Sequence, residues 1–264
     1  MSRTVIIDGD IIVYRASDAA LEVFETELEE DETFVYRITS YANKKVAIEA
    51  IQSMIDKICE ATKSDKVVIC LSDGENFRKQ INPNYKGNRK KKLKPELYQF
   101  LRHWFENESG YEVYALPDLE ADDVAGILAT SDKIQGDKCV WSFDKDFKTI
   151  PCKFAKGSPD GKITKKLIIE KEADWWFMYQ TLIGDTTDGY TGCKGIGDKK
   201  ARKILGAIGE KSLEEMWKLV VETYKEAGYS EEEALLNARM ARILRAEDYA
   251  EGRVKLWNIN ASMN

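Results

Sequence analysis

The sequence predicts an α/β fold, with a mostly parallel central sheet flanked by helices and a helical C-terminal region. Three observations predict it. Short β-branched runs alternate with stretches of helical period through the first half of the chain. Four of these runs in succession lead into carboxylates. Beyond residue 170 apolar residues recur at helical spacing only, so the boundary between a catalytic α/β unit over 1–170 and a helical unit over 171–264 is drawn near Glu170.

The run TVIID reads as the first strand, ending in Asp8-Gly9-Asp10 and followed by an amphipathic helix through Leu21. In an open parallel sheet ligands bind beyond the carboxyl ends of the strands, which is where Asp8 falls. LEVFETELEEDETFVYRIT reads as a hairpin-like insertion whose acids form a solvated turn. Ala47, Ala50, Ile51, Met54, Ile55 and Ile58 recur at helical spacing and predict a helix over 40–63. KVVICL is a second buried strand, delivering Asp73. In PELYQFLRHWFEN the apolar residues Leu97, Phe100, Leu101, Trp104 and Phe105 trace a helical face, and His103 reads as structural. YEVYALP is a third strand running into LEADDVA, and KCVWSF a fourth ending in Asp144-Lys145-Asp146. Residues 153–169 form a hairpin about Ser158-Pro159-Asp160-Gly161. Trp175, Trp176, Met178, Tyr179 and Leu182 mark an aromatic helix that reads as core, and two helices span 212–249 with a break at Gly228-Tyr229-Ser230.

Composition narrows the chemistry. The formal net charge of −6 and pI near 5.2 exclude a coating of positive charge, although a local basic stripe suffices for phosphate contacts. Five widely spaced cysteines without Cys-x-x-Cys indicate neither a disulfide framework nor a zinc ribbon, so zinc is not expected. With one histidine, a Ser-His-Asp triad has little to be built from, which leaves carboxylates and lysines. The N-terminus lacks a signal-peptide layout and no apolar run approaches the ~20 residues that span a bilayer, so a soluble, cytoplasmic protein without membrane contact is expected.

LEADDVA puts Glu120, Asp122 and Asp123 within four positions. Such acids raise one another's pKa unless a cation neutralises them, and divalent metals or basic side chains are their natural partners. An acidic first helical turn is the plainer reading, and it weakens as four strands in turn deliver carboxylates. The segment 78–94 carries Arg78, Lys79, Lys86, Arg89, Lys90, Lys91, Lys92 and Lys94 with no acid between them, and Tyr85 among them. It reads as a phosphate track with a base-stacking platform rather than a solvated loop. Gly195-Ile196-Gly197 followed by Lys199 and Lys200 offers backbone N–H groups at a positive helix end, ready for a phosphate; a glycine turn between helices is the alternative.

Taken in order, IIDGD, SDGENFRKQINPNYKGNR, LEADD, FDKDF and GDTTDGYTGCKGIGDKKARKIL resemble the 5′ nuclease family of flap endonucleases, the 5′-nuclease domains of bacterial DNA polymerases and phage 5′→3′ exonucleases, and most of all the stand-alone exonucleases of T7-like phages. The resemblance covers nearly the whole chain. It implies a PIN-like nuclease core, with Asp8, Asp73, Glu120 and Asp122 around one metal, Asp123 close by, and Asp144, Asp146, Asp185 and Asp188 at a second. It further implies an arch or clamp over 77–107, in which Arg78, Tyr85, Lys86 and Arg89 steer the 5′ strand, Lys86 and Arg89 acting at the scissile phosphate. The stretch 184–205 would be a helix-hairpin-helix motif that grips duplex DNA through Gly195, Ile196, Gly197, Lys199 and Lys200. The implied activity is Mg²⁺-dependent 5′→3′ exonuclease action on duplex 5′ ends, nicks or flaps, with flap endonuclease and RNase H-like activity alongside. Two Mg²⁺ ions, replaceable by Mn²⁺, and K⁺ at the helix-hairpin-helix would serve a monomer in phage DNA replication or degradation.

Two other classes explain less of the chain. A haloacid-dehalogenase-type phosphatase could use Asp8 and Asp10, but Ile12 stands where its Thr or Val is expected, and Glu120 to Asp123 and the basic track would be idle. A non-enzymatic DNA-binding module would gain nothing from nine acids that repel the phosphate backbone.

Overall fold

A computed structural model, which describes residues 2–30, 33–87 and 94–259 and the side chains outside 22–41, builds the chain around the buried strand β1 (Arg3–Asp8). Helix α1 (Gly9–Ala19) follows without a loop residue. That abrupt turn requires glycine, because a Cβ at Gly9 would stand 2.6 Å from Ile69 and 2.8 Å from the Cys70 carbonyl. The expected insertion is an antiparallel hairpin of β2 (Leu21–Glu30) and β3 (Thr33–Ala42), paired with each other and not with the central sheet. Because β3 runs on to Ala42, helix α2 (Lys44–Thr62) begins four residues later than its apolar spacing suggests, and the Asn43 side chain caps it by accepting from Lys45 and Val46 N–H.

Strand β4 (Lys66–Cys70) is followed by the short helix α3 (Phe77–Ile81), α4 (Tyr98–Asn107) and β5 (Glu112–Tyr114). Next come α5 (Ala121–Thr130), β6 (Asp137–Ser142), a 3-10 turn at Lys145–Thr149, and the hairpin of β7 (Lys153–Lys156) and β8 (Thr164–Leu167). The central sheet has the order β5-β4-β1-β6-β7-β8, and its pairs are parallel except β7 with β8. The mostly parallel α/β sheet is therefore as predicted. Strand order reverses at β1, which lies between β4 and β6, and the crevice at such a switch point is where ligands bind in this architecture.

One face of the sheet packs on α1, α2 and α4 through Ile51, Ile55, Leu101 and Phe105, and the other on α5 through Val124 and Leu128. Helices α6 (Glu170–Ile183), α7 (Asp198–Leu205), α8 (Leu213–Glu226) and α9 (Glu231–Ala241) share a third core, where Trp175, Met178, Tyr179 and Leu182 are buried as expected of the aromatic helix, while Trp176 is half-buried and Phe177 is buried as well. The last helix ends at Ala241, short of the expected 249. Residues 242–245 instead run across α5, where Ile243 and Leu244 join the sheet's second core and the buried Arg242 and Arg245 bond Asp248 and Asp174. Exposed His103 lies on α4, and no helix of the described residues is long and apolar enough to cross a membrane.

Candidate active site

The carboxyl ends of β1 and β6, the first turn of α5 and the loop after α6 converge on one cavity of about 630 Å³. Asp8, Glu120, Asp122, Asp144, Asp146, Asp185 and Asp188 line it, together with Asp10, Lys86 and Lys145. Several of these acids are held by hydrogen bonds from neighbouring backbone and side-chain donors. Asp8 accepts from the Ser142 hydroxyl at 3.0 Å across the β1–β6 pair, and Ser142 in turn accepts from Asp144 N–H. Asp144 caps the 3-10 turn by accepting from Asp146 N–H at 2.8 Å, and Asp146 accepts from Gln180 on α6 at 2.7 Å. Asp185 accepts from Thr187 N–H inside the tight turn that ends at Tyr190. Gly189 seats this turn against the chain at 84–86: a Cβ there would stand 2.5 Å from the Asn84 carbonyl, and Lys86 N–H donates to the Asp188 carbonyl at 2.8 Å.

Charge in the cavity is unbalanced. Burial, then the neighbouring Asp10, push the Asp8 carboxyl up to about 7, and burial followed by the charges of Asp8, Asp144 and Glu120 raises Asp122 well above the usual carboxylate range. Burial and Asp144 also raise Asp146. Glu120 behaves oppositely. Burial alone would raise it, but Lys86, whose Nζ contacts Oε1, and Arg78 outweigh that and hold it at about 2. A half-buried, all-oxygen donor set of acids that resist ionising together suits hard divalent cations such as Mg²⁺ or Mn²⁺. Among the described residues no three His, Cys, Asp or Glu side chains already close around one point.

Four of the expected site residues do other work. Asp123 is fully buried and receives both Nη atoms of Arg78, at 2.6 and 2.7 Å, and Leu244 N–H at 3.1 Å. It is sealed from solvent and does not line the cavity, so it is no metal ligand. Arg78 is 3% exposed and also donates to the Met240 and Arg242 carbonyls, which makes it an internal tie rather than a DNA contact. Tyr85 is 4% exposed, and its hydroxyl donates to Glu120 at 2.7 Å, so its ring offers no platform to a base. Asp73 accepts from Asp118 N–H at 3.0 Å and lines a neighbouring recess with Lys94, Arg102 and His103 instead of the carboxylate cavity. Asp73 N–H donates to the Leu119 carbonyl, which ties this stretch to the loop before α5. Arg89 and Lys90 to Lys92 lie outside the described residues.

Other residues at the site had no assigned role from the sequence. Gln180 holds Asp146 and also bonds the buried Tyr190 hydroxyl at 3.1 Å, but in an aromatic helix it reads as one polar residue among many. Asp10 pairs with Arg102 at 3.3 Å, and Tyr14, 41% exposed, lines the cavity with Arg15. At the far motif Gly195 takes a left-handed φ of +78°, and a Cβ at Gly195 or Gly197 would meet nothing within 4 Å, so the backbone there is open to a ligand's approach. Ile196 anchors the loop on the helical core, Lys199 is exposed at the first turn of α7, and Lys200 Nζ donates to the Gly195 carbonyl at 2.9 Å.

A sheet whose carboxyl edge gathers acids for divalent ions beside basic side chains defines a site for metal-assisted chemistry on a phosphate-bearing substrate. A family model, the 5′-3′ exonuclease N-terminal resolvase-like domain, matches residues 3–155. The chain is 32% identical to the exodeoxyribonuclease of Enterobacteria phage T3, over 96% of this chain and 91% of that one, and 32% identical to the exonuclease of Escherichia phage T7, over 96% and 92%. Its fold is similar to that of the bacteriophage T5 flap endonuclease in a pseudo-enzyme-product complex with DNA and metal ions, with a TM-score of 0.59 at 16% identity over 91% of this chain and 89% of that chain. The chain belongs to the 5′-3′ exonuclease family.

Proposed function

We propose that this chain is a divalent-metal-dependent 5′→3′ exodeoxyribonuclease that hydrolyses phosphodiester bonds from the 5′ ends of duplex DNA. Eight carboxylates lining one cavity together with Lys86 carry the reading. Mg²⁺ is the natural ion with Mn²⁺ as its substitute. The enzyme acts as a monomer in the cytoplasm of a bacterial host, with the chemistry on residues 1–170 and the duplex held by 184–205. Two such ions, when bound, lower the pKa of a water, aim it in line at phosphorus and stabilise the leaving 3′ oxygen. Asp8, Glu120 and Asp122 would hold one, and Asp144, Asp146, Asp185 and Asp188 the other.

The side chains around these acids shape the rest. Ser142 and Gln180 orient Asp8 and Asp146, so the donors do not have to be ordered when substrate arrives. Lys86 shares Glu120 with the Tyr85 hydroxyl and stands 4.0 Å from Asp188, which places its ammonium at the rim the scissile phosphate must cross. It neutralises developing charge there, so Lys86→Ala should lower the single-turnover rate on saturated complexes by roughly a hundred- to a thousand-fold, about 2.7 to 4 kcal/mol. A loss confined to the dissociation constant would reduce Lys86 to a binding residue. Lys199 and Lys200, with the open backbone of Gly195 to Gly197, would grip the duplex. Replacing both lysines by Ala should weaken duplex binding far more than hydrolysis and flatten the salt dependence by about 0.9 in log–log slope for each phosphate no longer neutralised. An unchanged slope would refute the phosphate grip.

Flap cleavage is the second reading, favoured because the T5 protein of the same fold is named a flap endonuclease. Products from 5′-labelled and 3′-labelled duplex, nicked and flapped DNA with Mg²⁺ distinguish the two: mononucleotides from the 5′ label mark exonuclease action, and a released intact flap marks the endonuclease. Inorganic phosphate released from a small phosphomonoester, with no DNA product, would reject both.

A further inference from the structure

The second carboxylate group already holds a positive charge belonging to the chain. Lys145 opens the 3-10 turn between Asp144 and Asp146, and its Nζ stands 3.3 Å from Asp146 Oδ1 and 3.7 Å from Asp185 Oδ2. These two acids come from different elements, the turn after β6 and the loop after α6. The other oxygen of Asp146 accepts from Gln180, so this carboxylate is held on both sides. The Lys145 side chain is 61% exposed, and its flexible stem can carry the ammonium into solvent without moving the backbone. Lys86 is placed differently, with a side chain 22% exposed and a backbone N–H tied to the Asp188 loop.

We propose that Lys145 is a resident counter-ion of the second metal group, and that the second divalent ion binds by displacing it. The inference rests on the two-ion reading above. A divalent cation brought to Asp146 and Asp185 loses affinity twice over, because the lysine's ion pairs must be broken and any ammonium left nearby repels it. Lys145 thereby makes the second site the weaker one and delays its filling. An arriving DNA phosphate adds negative charge to the cavity and lets lysine and metal ion remain together. Occupancy of the second site is then coupled to the presence of substrate.

The test is titration of the DNA-free full chain with Mn²⁺, followed calorimetrically and by electron paramagnetic resonance of the free ion, for the parent, Lys145→Met and Lys145→Arg. The expected result is two sites in the parent, a weaker dissociation constant that falls about tenfold or more in Lys145→Met, a tighter one that does not move, and parent-like binding in Lys145→Arg. Two sites with the weaker one unchanged or weakened further in Lys145→Met would overturn the displacement while leaving the two-ion reading standing. Fewer than two ions bound by both parent and Lys145→Met would overturn the two-ion reading and this inference with it.

Discussion

Asp122→Asn should abolish Mg²⁺-dependent cleavage, with a loss beyond the roughly thousand-fold that marks removal of one transition-state hydrogen-bond donor, because it takes a full charge from the metal donors at nearly constant volume. Duplex binding should persist, since the proposed grip at Gly195 to Lys200 lies elsewhere. The same variant has a second signature in EDTA. The raised pKa values of Asp122 and its neighbour Asp8, the latter near 7, mean that the native protein holds more protons than the unfolded chain above the ordinary carboxylate range, about pH 4. In that window metal-free stability falls as pH rises, and the loss is complete once pH exceeds the folded pKa values. Asparagine carries no such penalty. Asp122→Asn should therefore melt at or above the parent temperature at pH 8 in EDTA, with the difference shrinking toward pH 4. Turnover comparable to the parent in Mg²⁺ would falsify the carboxylate assignment, and a much lower melting temperature in EDTA at pH 8 would mean that Asp122 is structural.

Arg78→Met should cost about 3 to 5 kcal/mol of stability, the range for breaking a buried ion pair from one side. Asp123 has no exposed surface, so once Arg78 is gone its charge has neither a counter-ion nor water. The loss would spread. Asp123 closes the capping box of α5, Glu120 N–H donates to it at 3.4 Å, and Arg78 Nη1 stands 3.6 Å from Glu120 Oε2. The guanidinium also bonds the Met240 and Arg242 carbonyls, so it joins the acidic turn to the C-terminal segment crossing α5. Arg78 is thus a positioning residue for Glu120. Thermal melts should show the destabilisation, and the Mg²⁺ concentration for half-maximal cleavage should rise below the melting transition. Parent-like stability with weakened DNA binding would restore Arg78 to the role expected of an exposed basic track.

The strands, helices and parallel sheet were legible in the sequence because they rest on local causes: β-branched runs between polar turns, apolar residues at helical spacing, and a carboxylate after each run. Asp8, Glu120, Asp122, Asp144 and Asp146 were legible as a set for the same reason, since the carboxyl ends of parallel strands must lie on one edge, whereas Asp185 and Asp188, in the loop after α6, were assigned only through the family resemblance. What the chain order could not express was which charge faces which. Arg78 and Asp123 are 45 residues apart, and only the packing of α3 against α5 and α9 makes them one buried pair. Tyr85 sits in a basic stretch that suggests exposure, yet the fold turns its ring into the helical core and its hydroxyl toward Glu120. Asp73 follows a strand like the others, but its carboxylate accepts from Asp118 N–H and lines a neighbouring recess instead. Sequence alone determined which residue types gather at the sheet edge. Tertiary structure decided which of them burial neutralises in pairs and which are left facing the cavity to hold a cation, because desolvation depends on three-dimensional neighbours and not on spacing along the chain.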